Sequence, residues 1–233
     1  MAKLNWIADN HLLTEVDKLL LIAQKAQNKA LTDFSKNVID PFSALFEMSG
    51  FETDFDTWQK SETTRQAQKT LQNHIGGFHQ NILGCSPGWN NMKVGNVIDL
   101  VSPEKEIIAE IKNKYNTISG GKLSDLYNSL NGLVSPKSSI YKGYTAYYVA
   151  IIPKKPQRYN HLFTPSDKDK GEKCPPNDLI REIDGASFYS LVTGSDTALE
   201  DLFNVLTELV FEKSSPKTAT MEKLKNFFRI AYQ

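Results

Sequence analysis

The spacing of apolar residues changes twice along the chain. Up to about residue 84 it follows a helical period. Leu12, Leu13, Val16, Leu19, Leu20 and Ala23 recur at three- and four-residue intervals and predict a first helix. Thr32 is an N-cap candidate for a second helix, with Val38, Phe42, Leu45 and Phe46 as an apolar stripe interrupted near Pro41. A third, long helix is expected from Asp54 or Ser61 to about Leu83. Its centre is polar and contains Gly76–Gly77, which cost about 1 kcal/mol each against alanine and mark a close backbone approach or a kink. Residues 85–91 read as a loop. A strand period takes over at 97–101 and 106–113, joined by a tight turn, followed by a helix over 123–133 and a buried strand over 144–152. Residues 153–178 hold five prolines and read as a long irregular loop. Residues 180–194 read as a short strand and a turn. A helix capped by Asp196 or Thr197 runs to about Phe211, and a last one covers about Thr220 to Tyr232. The expected fold is α/β: one domain over 1–233, with a helical elaboration at 1–60, a mixed-sheet core flanked by helices at 61–195, and C-terminal helices at 196–233.

The hairpin at 97–113 is chemically the richest stretch. With a turn over Ser102–Lys105, Val101 faces Glu106 and Asp99 faces Ile108. Opposite residues share a face and successive ones alternate. One face then carries Ile98, Leu100, Ile107, Ala109 and Ile111, which is a core face. The other carries Val97, Asp99, Val101, Glu106, Ile108, Glu110 and Lys112, with Asp99 diagonal to Glu110, and is expected to be the solvent side. Two carboxylates at that spacing can share Mg²⁺, a hard ion that takes oxygen ligands and keeps several waters. The backbone carbonyl of Ile111 can add a ligand, and the Lys112 ammonium can steer a water beside a phosphate. A solvated strand face with a Glu–Lys pair worth about 0–1 kcal/mol is the plain alternative.

Composition narrows the field. With 40% apolar and 23% charged residues the chain is globular. No apolar run approaches the roughly 18 residues of a membrane span, and the first residues lack the apolar stretch of a signal peptide, so a cytoplasmic, membrane-free protein is expected. Cys85 and Cys174 share no metal spacing. Lys plus Arg and Asp plus Glu both number 27, which excludes a polybasic binder. The charge is unevenly laid out, however. Residues 105–173 carry 12 basic and 6 acidic side chains, a net of +6 between flanks of −3 each. Such an island suits a polyanion.

Asp99…Glu110-Ile111-Lys112 resembles the PD-(D/E)XK nuclease signature. The wider chain resembles the type II restriction endonucleases that cut GGNCC-type sites, the AsuI specificity group. Further pieces carry the likeness in order: residues 65–84, Pro87-Gly88-Trp89, residues 110–122, 163–167 and 183–194. Ile98 stands where the signature has proline. The resemblance implies a PD-(D/E)XK core, Mg²⁺ held by Asp99 and Glu110, Lys112 assisting the attacking water, and double-stranded DNA as substrate. It also implies a restriction–modification system whose cognate methyltransferase acts on the same site without needing to bind this chain. Asn113, Lys114, Asn116 and Thr117 follow the metal strand and are candidate DNA contacts. In the basic loop, Lys154, Lys155 and Arg158, with Asn160 and His161 nearby, can hold phosphates or read guanine O6 and N7. Glu62 is a possible accessory carboxylate. His79 and Gln80 are accessory candidates as polar packing or backbone contacts, because His74 and His79 lie about 140° apart on a helix, wrong for one metal. A palindromic site calls for a homodimer. Its interface is expected in segments 1–60 and 195–233, on stripes such as Leu12/Val16/Leu19/Leu20 and Leu202/Val205/Leu206/Leu209. A structure-selective repair nuclease, or a non-catalytic DNA-binding protein on the same fold, are the competing readings.

Overall fold

The computed structural model describes residues 2–92, 97–214 and 221–232. The chain divides into two compact units, Thr14–Phe78 and Met1–Leu13 with His79–Gln233. The first unit is helical. It holds most of α1 (Asp9–Thr32), α2 (Pro41–Gly50) and most of α3 (Phe55–Gly84). Asp40 caps α2, its Oδ1 accepting from the Phe42 and Ser43 N–H groups at 2.9 and 3.2 Å, with Pro41 preset for the first helical position. Asp54 opens α3 the same way, taking the Thr57 N–H at 2.7 Å. The second helix therefore starts eight residues later than an N-cap at Thr32 suggests. Thr32 instead ends α1, its hydroxyl bonded back to the Asn28 and Lys29 carbonyls at 3.3 Å. Asp-Pro is the stronger start signal, because a helix running through Pro41 from Thr32 would lose a backbone bond there.

The second unit is built on a six-stranded sheet. Its strands are β1 (Asn90–Asn91), β2 (Leu100–Ser102), β3 (Ile107–Lys114), β4 (Thr145–Ile152), β5 (Asn160–Leu162) and β8 (Ile180–Asp184), while β6 (Ser166–Asp167) and β7 (Glu172–Lys173) pair apart from it. The spatial order is β1-β2-β3-β4-β8-β5, with β3, β4 and β8 parallel and the outer pairings antiparallel. The fold is the expected mixed α/β sheet with flanking helices and an N-terminal helical region. α4 (Leu123–Val134) makes the crossover between β3 and β4, as parallel strands require. Its Tyr127, Leu130 and Val134 pack with Val101, Ile108, Ala146, Tyr148 and Ile180 in one core. α5 (Gly185–Thr193) covers the opposite face, where the Phe188 ring meets those of Tyr147 and Trp89 at 6.0 and 5.6 Å. α6 (Ala198–Ser214) packs beside α5, and α7 (Met221–Tyr232) follows; Thr220 lies outside the described residues. No helix among the described residues is long and apolar enough to cross a membrane.

Two packing details depart from the spacing-based expectation. Residues 185–193 form a helix rather than a turn. Asp184 caps it, its Oδ1 accepting the Ser187 N–H at 3.0 Å, and Gly194 ends it with φ 78°. The run Gly-Ala-Ser-Phe-Tyr-Ser-Leu-Val-Thr is short and poor in strong helix formers, so packing and caps decide it. The stripes offered for a dimer are in part the chain's own core: Leu12, Val16, Leu202 and Leu209 are buried, whereas Leu19, Leu20, Val205 and Leu206 are half-buried.

Glycine substitutions test this packing. A Cβ on Gly185 would overlap the Ile151 carbonyl oxygen and stand 2.7 Å from Ile151 Cα, whereas one on Gly77 would meet open space. Gly185→Ala should lower stability by about 3 kcal/mol, an overpacking cost against backbone that cannot yield. Gly77→Ala should raise it by about 1 kcal/mol. Urea unfolding of the two variants checks both signs.

Candidate active site

The turn between β2 and β3 sets the geometry. It spans residues 103–106, and Glu106 adopts φ 52° to close it. Ser102 then faces Ile107, Val101 faces Ile108 and Leu100 faces Ala109. This register differs by two residues from a turn over 102–105. A slip of two keeps every side chain on its expected face, because strand faces alternate with period two. It moves Asp99 from a position diagonal to Glu110 to one beside it. The face expected to be wholly on the solvent side is partly core, since Val101 and Ile108 are buried beneath α4. Asp99, Glu110 and Lys112 lie where that apolar patch ends.

Asp99 sits at a bend just before β2. Its N–H donates to the Ala109 carbonyl at 2.8 Å and its carbonyl accepts from Met92 at 2.9 Å. Its carboxylate Oδ2 accepts the Ile111 backbone N–H at 2.7 Å, replacing the ladder bond that β2 would have supplied had it continued. In a strand the N–H and C=O of one residue point to the same side. The Ile111 carbonyl is thereby directed toward Asp99, past the end of β2. Gln80 braces the bend from α3, its Nε2 donating to Asn91 Oδ1 at 3.0 Å and to the Asp99 carbonyl at 3.3 Å.

Glu110 and Lys112 share the face, two residues apart, and the Lys112 Nζ donates to Glu110 Oε1. The Glu110 carboxyl is pushed up to about 7, first by burial and then by the neighbouring Asp99 charge, against the opposing pull of Lys112. Two acids in a nearly dry place with one lysine leave a negative site that a cation relieves. Among the described residues no three His, Cys, Asp or Glu side chains converge. The donors on hand are thus two carboxylates and a carbonyl. These are hard oxygens that fit Mg²⁺, which leaves the rest of its shell to water and phosphate.

The other candidates fall in several places. Asn113 points to the opposite face of β3, and its Oδ1 is buried without a partner among the described residues. Lys114, Asn116 and Thr117 form the exposed turn after β3, where Thr117 N–H bonds the Lys114 carbonyl at 3.0 Å. Lys154 and Lys155 are exposed just past β4. β3 and β4 are parallel with Lys114 paired to Ile152, so both basic turns stand at the same carboxyl edge of the sheet, two residues beyond Lys112. Arg158 is a clasp: it donates to Ser187 Oγ, the Ala186 and Asp196 carbonyls and Ser190 Oγ, tying its loop to α5. Asn160 accepts from Arg181, and His161 lies 3.7 Å from Glu182. His79 Nδ1 bonds the Tyr189 hydroxyl at 2.8 Å, and burial pushes its imidazole down to about 4, a neutral packing residue. Glu62, in the helical unit, holds Arg65 and accepts from Gln66 at 2.9 Å. Sequence spacing missed Tyr148 and Glu182, which stand in register with Glu110 on the same face of the sheet. Inside a run of buried strand residues, nothing in the spacing marked them.

The profile of the Eco47II restriction endonuclease family matches residues 4–213. The chain is 52% identical over 210 residues to the type II restriction enzyme Eco47II of Escherichia coli, covering 90% of this chain and 87% of that one. It is 31% identical over 203 residues to the type II restriction enzyme Sau96I of Staphylococcus aureus, covering 85% and 76%.

The electrostatics of the acid pair have a measurable consequence. Glu110 is raised above its unfolded value, so its ionisation costs stability as pH climbs from about 4.5 through about 7. Without metal at pH 8, Glu110→Gln should therefore be more stable than the parent, by about 2 kcal/mol once the loss of the Lys112 contact is discounted. Added Mg²⁺ should stabilise the parent and leave the variant nearly unmoved. Thermal melts with and without Mg²⁺ read both effects.

Proposed function

The chain belongs to the Eco47II restriction endonuclease family and is a type II site-specific deoxyribonuclease, and from that premise we propose how it works. The reaction is Mg²⁺-dependent hydrolysis of double-stranded DNA at a short palindromic site of GGNCC type. Asp99, Glu110 and the Ile111 carbonyl would hold the ion, which would supply Lewis-acid stabilisation of the scissile phosphate when bound. The observation that carries this reading is the Asp99 carboxylate locked onto the Ile111 N–H beside Glu110 and Lys112.

The residues act in concert. The Asp99–Ile111 bond fixes one carboxylate so that little is left to organise on substrate binding. Lys112, held by Glu110, aims its Nζ at the attacking water and the phosphate oxygens, balancing charge as the water oxygen bonds phosphorus. The P–O3′ bond breaks as the new P–O bond forms; the attacking water gives its proton to solvent and the leaving O3′ takes one from solvent, leaving a 5′-phosphate and a 3′-hydroxyl. Lys114, Asn116, Thr117, Lys154 and Lys155 track the DNA at the carboxyl edge of the sheet. Arg158 positions that loop through its clasp on α5, and Gln80 positions Asp99. The two units serve as one endonuclease domain, acting in the cytoplasm as the cutting arm of a restriction–modification system. Two strands of a palindrome need two active sites related by a two-fold axis, so the working unit is a homodimer.

Phage DNA incubated with the protein and Mg²⁺ should give discrete bands whose ends map to GGNCC-type sequences; a smear or uncut DNA rejects the reading. Asp99→Ala and Glu110→Ala should each cut at below about 1% of the parent rate, with helical content unchanged by circular dichroism. For binding, log K should fall with log salt at a slope of about −0.9 per neutralised phosphate. The Lys154→Ala/Lys155→Ala variant should lower that slope by about 1 per lost contact. An unchanged slope removes this turn from the interface.

A further inference from the structure

The acid site continues as a row of polar side chains across the sheet. Glu110 on β3 pairs with Tyr148 on β4, Tyr148 with Glu182 on β8, and Glu182 with His161 on β5. Paired residues share a face, so Glu182 looks out on the same side as Glu110. Two strand spacings of about 4.8 Å put their backbones roughly 10 Å apart. Between them Tyr148 is buried, its hydroxyl donating to the Tyr115 carbonyl at 3.3 Å. The Glu182 side chain is 26% exposed. Its carboxylate is held from the β5 side: the Tyr159 hydroxyl donates to Oε1 at 3.3 Å, and His161 Nε2 stands 3.7 Å from Oε2. Among the described residues no lysine or arginine pairs with it.

We propose that Glu182 reads the DNA sequence, its carboxylate accepting a hydrogen bond from the exocyclic N4 amino group of a cytosine. The assignment rests on the reading of the chain as an endonuclease for a GGNCC-type site with its metal at Asp99 and Glu110, and adds a residue that chooses the sequence. A scissile phosphate over Glu110 borders the major groove, about 12 Å wide, and a carboxylate about 10 Å along the sheet lies within that span. An acid there repels the DNA backbone. It favours binding only where the DNA offers a donor. In the major groove cytosine presents its N4 amino group and adenine its N6, whereas guanine and thymine present the acceptors O6 and O4. Outside its central pair, a GGNCC-type site offers cytosine alone. Guanine in the same place would set an acceptor against the carboxylate, so one contact attracts the right base and rejects the wrong one. An ionised carboxylate accepts about four hydrogen bonds, and the Tyr159 hydroxyl takes one. A second hard cation is a poorer occupant. Asp184, two residues along β8, spends its oxygens on the Tyr159 and Ser187 N–H groups, which leaves Glu182 with an imidazole rather than another oxygen ligand.

Site-modified duplexes test the assignment. In each, one cytosine of the site is replaced by a 2-pyrimidinone nucleoside, which lacks the N4 amino group. On the unmodified site Glu182→Ala should cut with kcat/KM lowered about 10- to 100-fold. For the parent, loss of one particular amino group should cost a similar factor. For Glu182→Ala the same loss should cost less than about twofold, while the other positions cost both enzymes alike. A merely structural role produces no such coupling at a single position. Glu182→Gln keeps the shape of the side chain. Burial holds the Glu182 carboxyl above its ordinary value, so its ionisation costs stability, and at pH 8 this variant should melt at or above the parent temperature. It should also discriminate less at that one base pair. In both variants the slope of log K against log salt should match the parent's, because no phosphate contact is lost. Equal losses on all duplexes make Glu182 a structural acid, and tighter binding to every duplex with discrimination unchanged makes it a repulsive charge. Either result overturns the base contact and leaves the reaction reading standing. A parent that makes no discrete cuts overturns the reaction reading, and the assignment with it.

Discussion

One backbone N–H organises the candidate centre. β2 joins its neighbour only from Leu100 onward, and without Asp99 the Ile111 N–H would be orphaned beside a buried strand. The Asp99 carboxylate takes it at 2.7 Å. An unpaired buried donor is costly, so Asp99 is held in place by the same requirement that holds a sheet together. The arrangement sets an acid beside Glu110 and leaves the Ile111 carbonyl facing the gap. A cluster of hard oxygen donors thus arises where a strand begins to pair late.

Holding two acids there is unfavourable on its own. Glu110 is half-buried, next to a second negative charge, with Lys112 in opposition. The surrounding packing makes this tolerable. Val101, Ile108, Ala146 and the Tyr148 ring, covered by α4, form an apolar patch at whose edge the acids lie. On the far face Gly185 lets α5 approach β4 so closely that no Cβ would fit. A sheet clamped this tightly resists letting the acids relax apart, so a bound cation, if the site takes one as proposed, would be the means of relieving their like charge.

The basic residues divide their labour by where the chain places them. Lys114, Lys154 and Lys155 sit in turns after parallel strands, at the edge where β3 delivers Lys112. Arg158, only a few residues further on, is spent on α5 instead, because a planar guanidinium can satisfy several carbonyls and hydroxyls at once. Charge in a loop is therefore a poor guide to which side chain stays exposed and which is spent on the chain's own fold.

The sequence by itself determined the faces. Alternation in Val97–Lys112 puts Asp99, Glu110 and Lys112 together under either turn, because a two-residue slip preserves parity. Periodicity was also enough to find α1, α3, α4 and the central strand, each long and regular. What it left open was decided by tertiary packing. The turn closed on Glu106 in a left-handed conformation, and this brought the two acids from diagonal to adjacent. α5 formed from a weak helical sequence because Asp184 and Gly194 cap it and Phe188 finds a core. The stripe with Leu12 and Val16 went inside while that of α2 stayed out, although both read as amphipathic. Local spacing fixes which residues travel together, but only the partner surface determines whether a given face is covered, and that depends on residues far away in the chain.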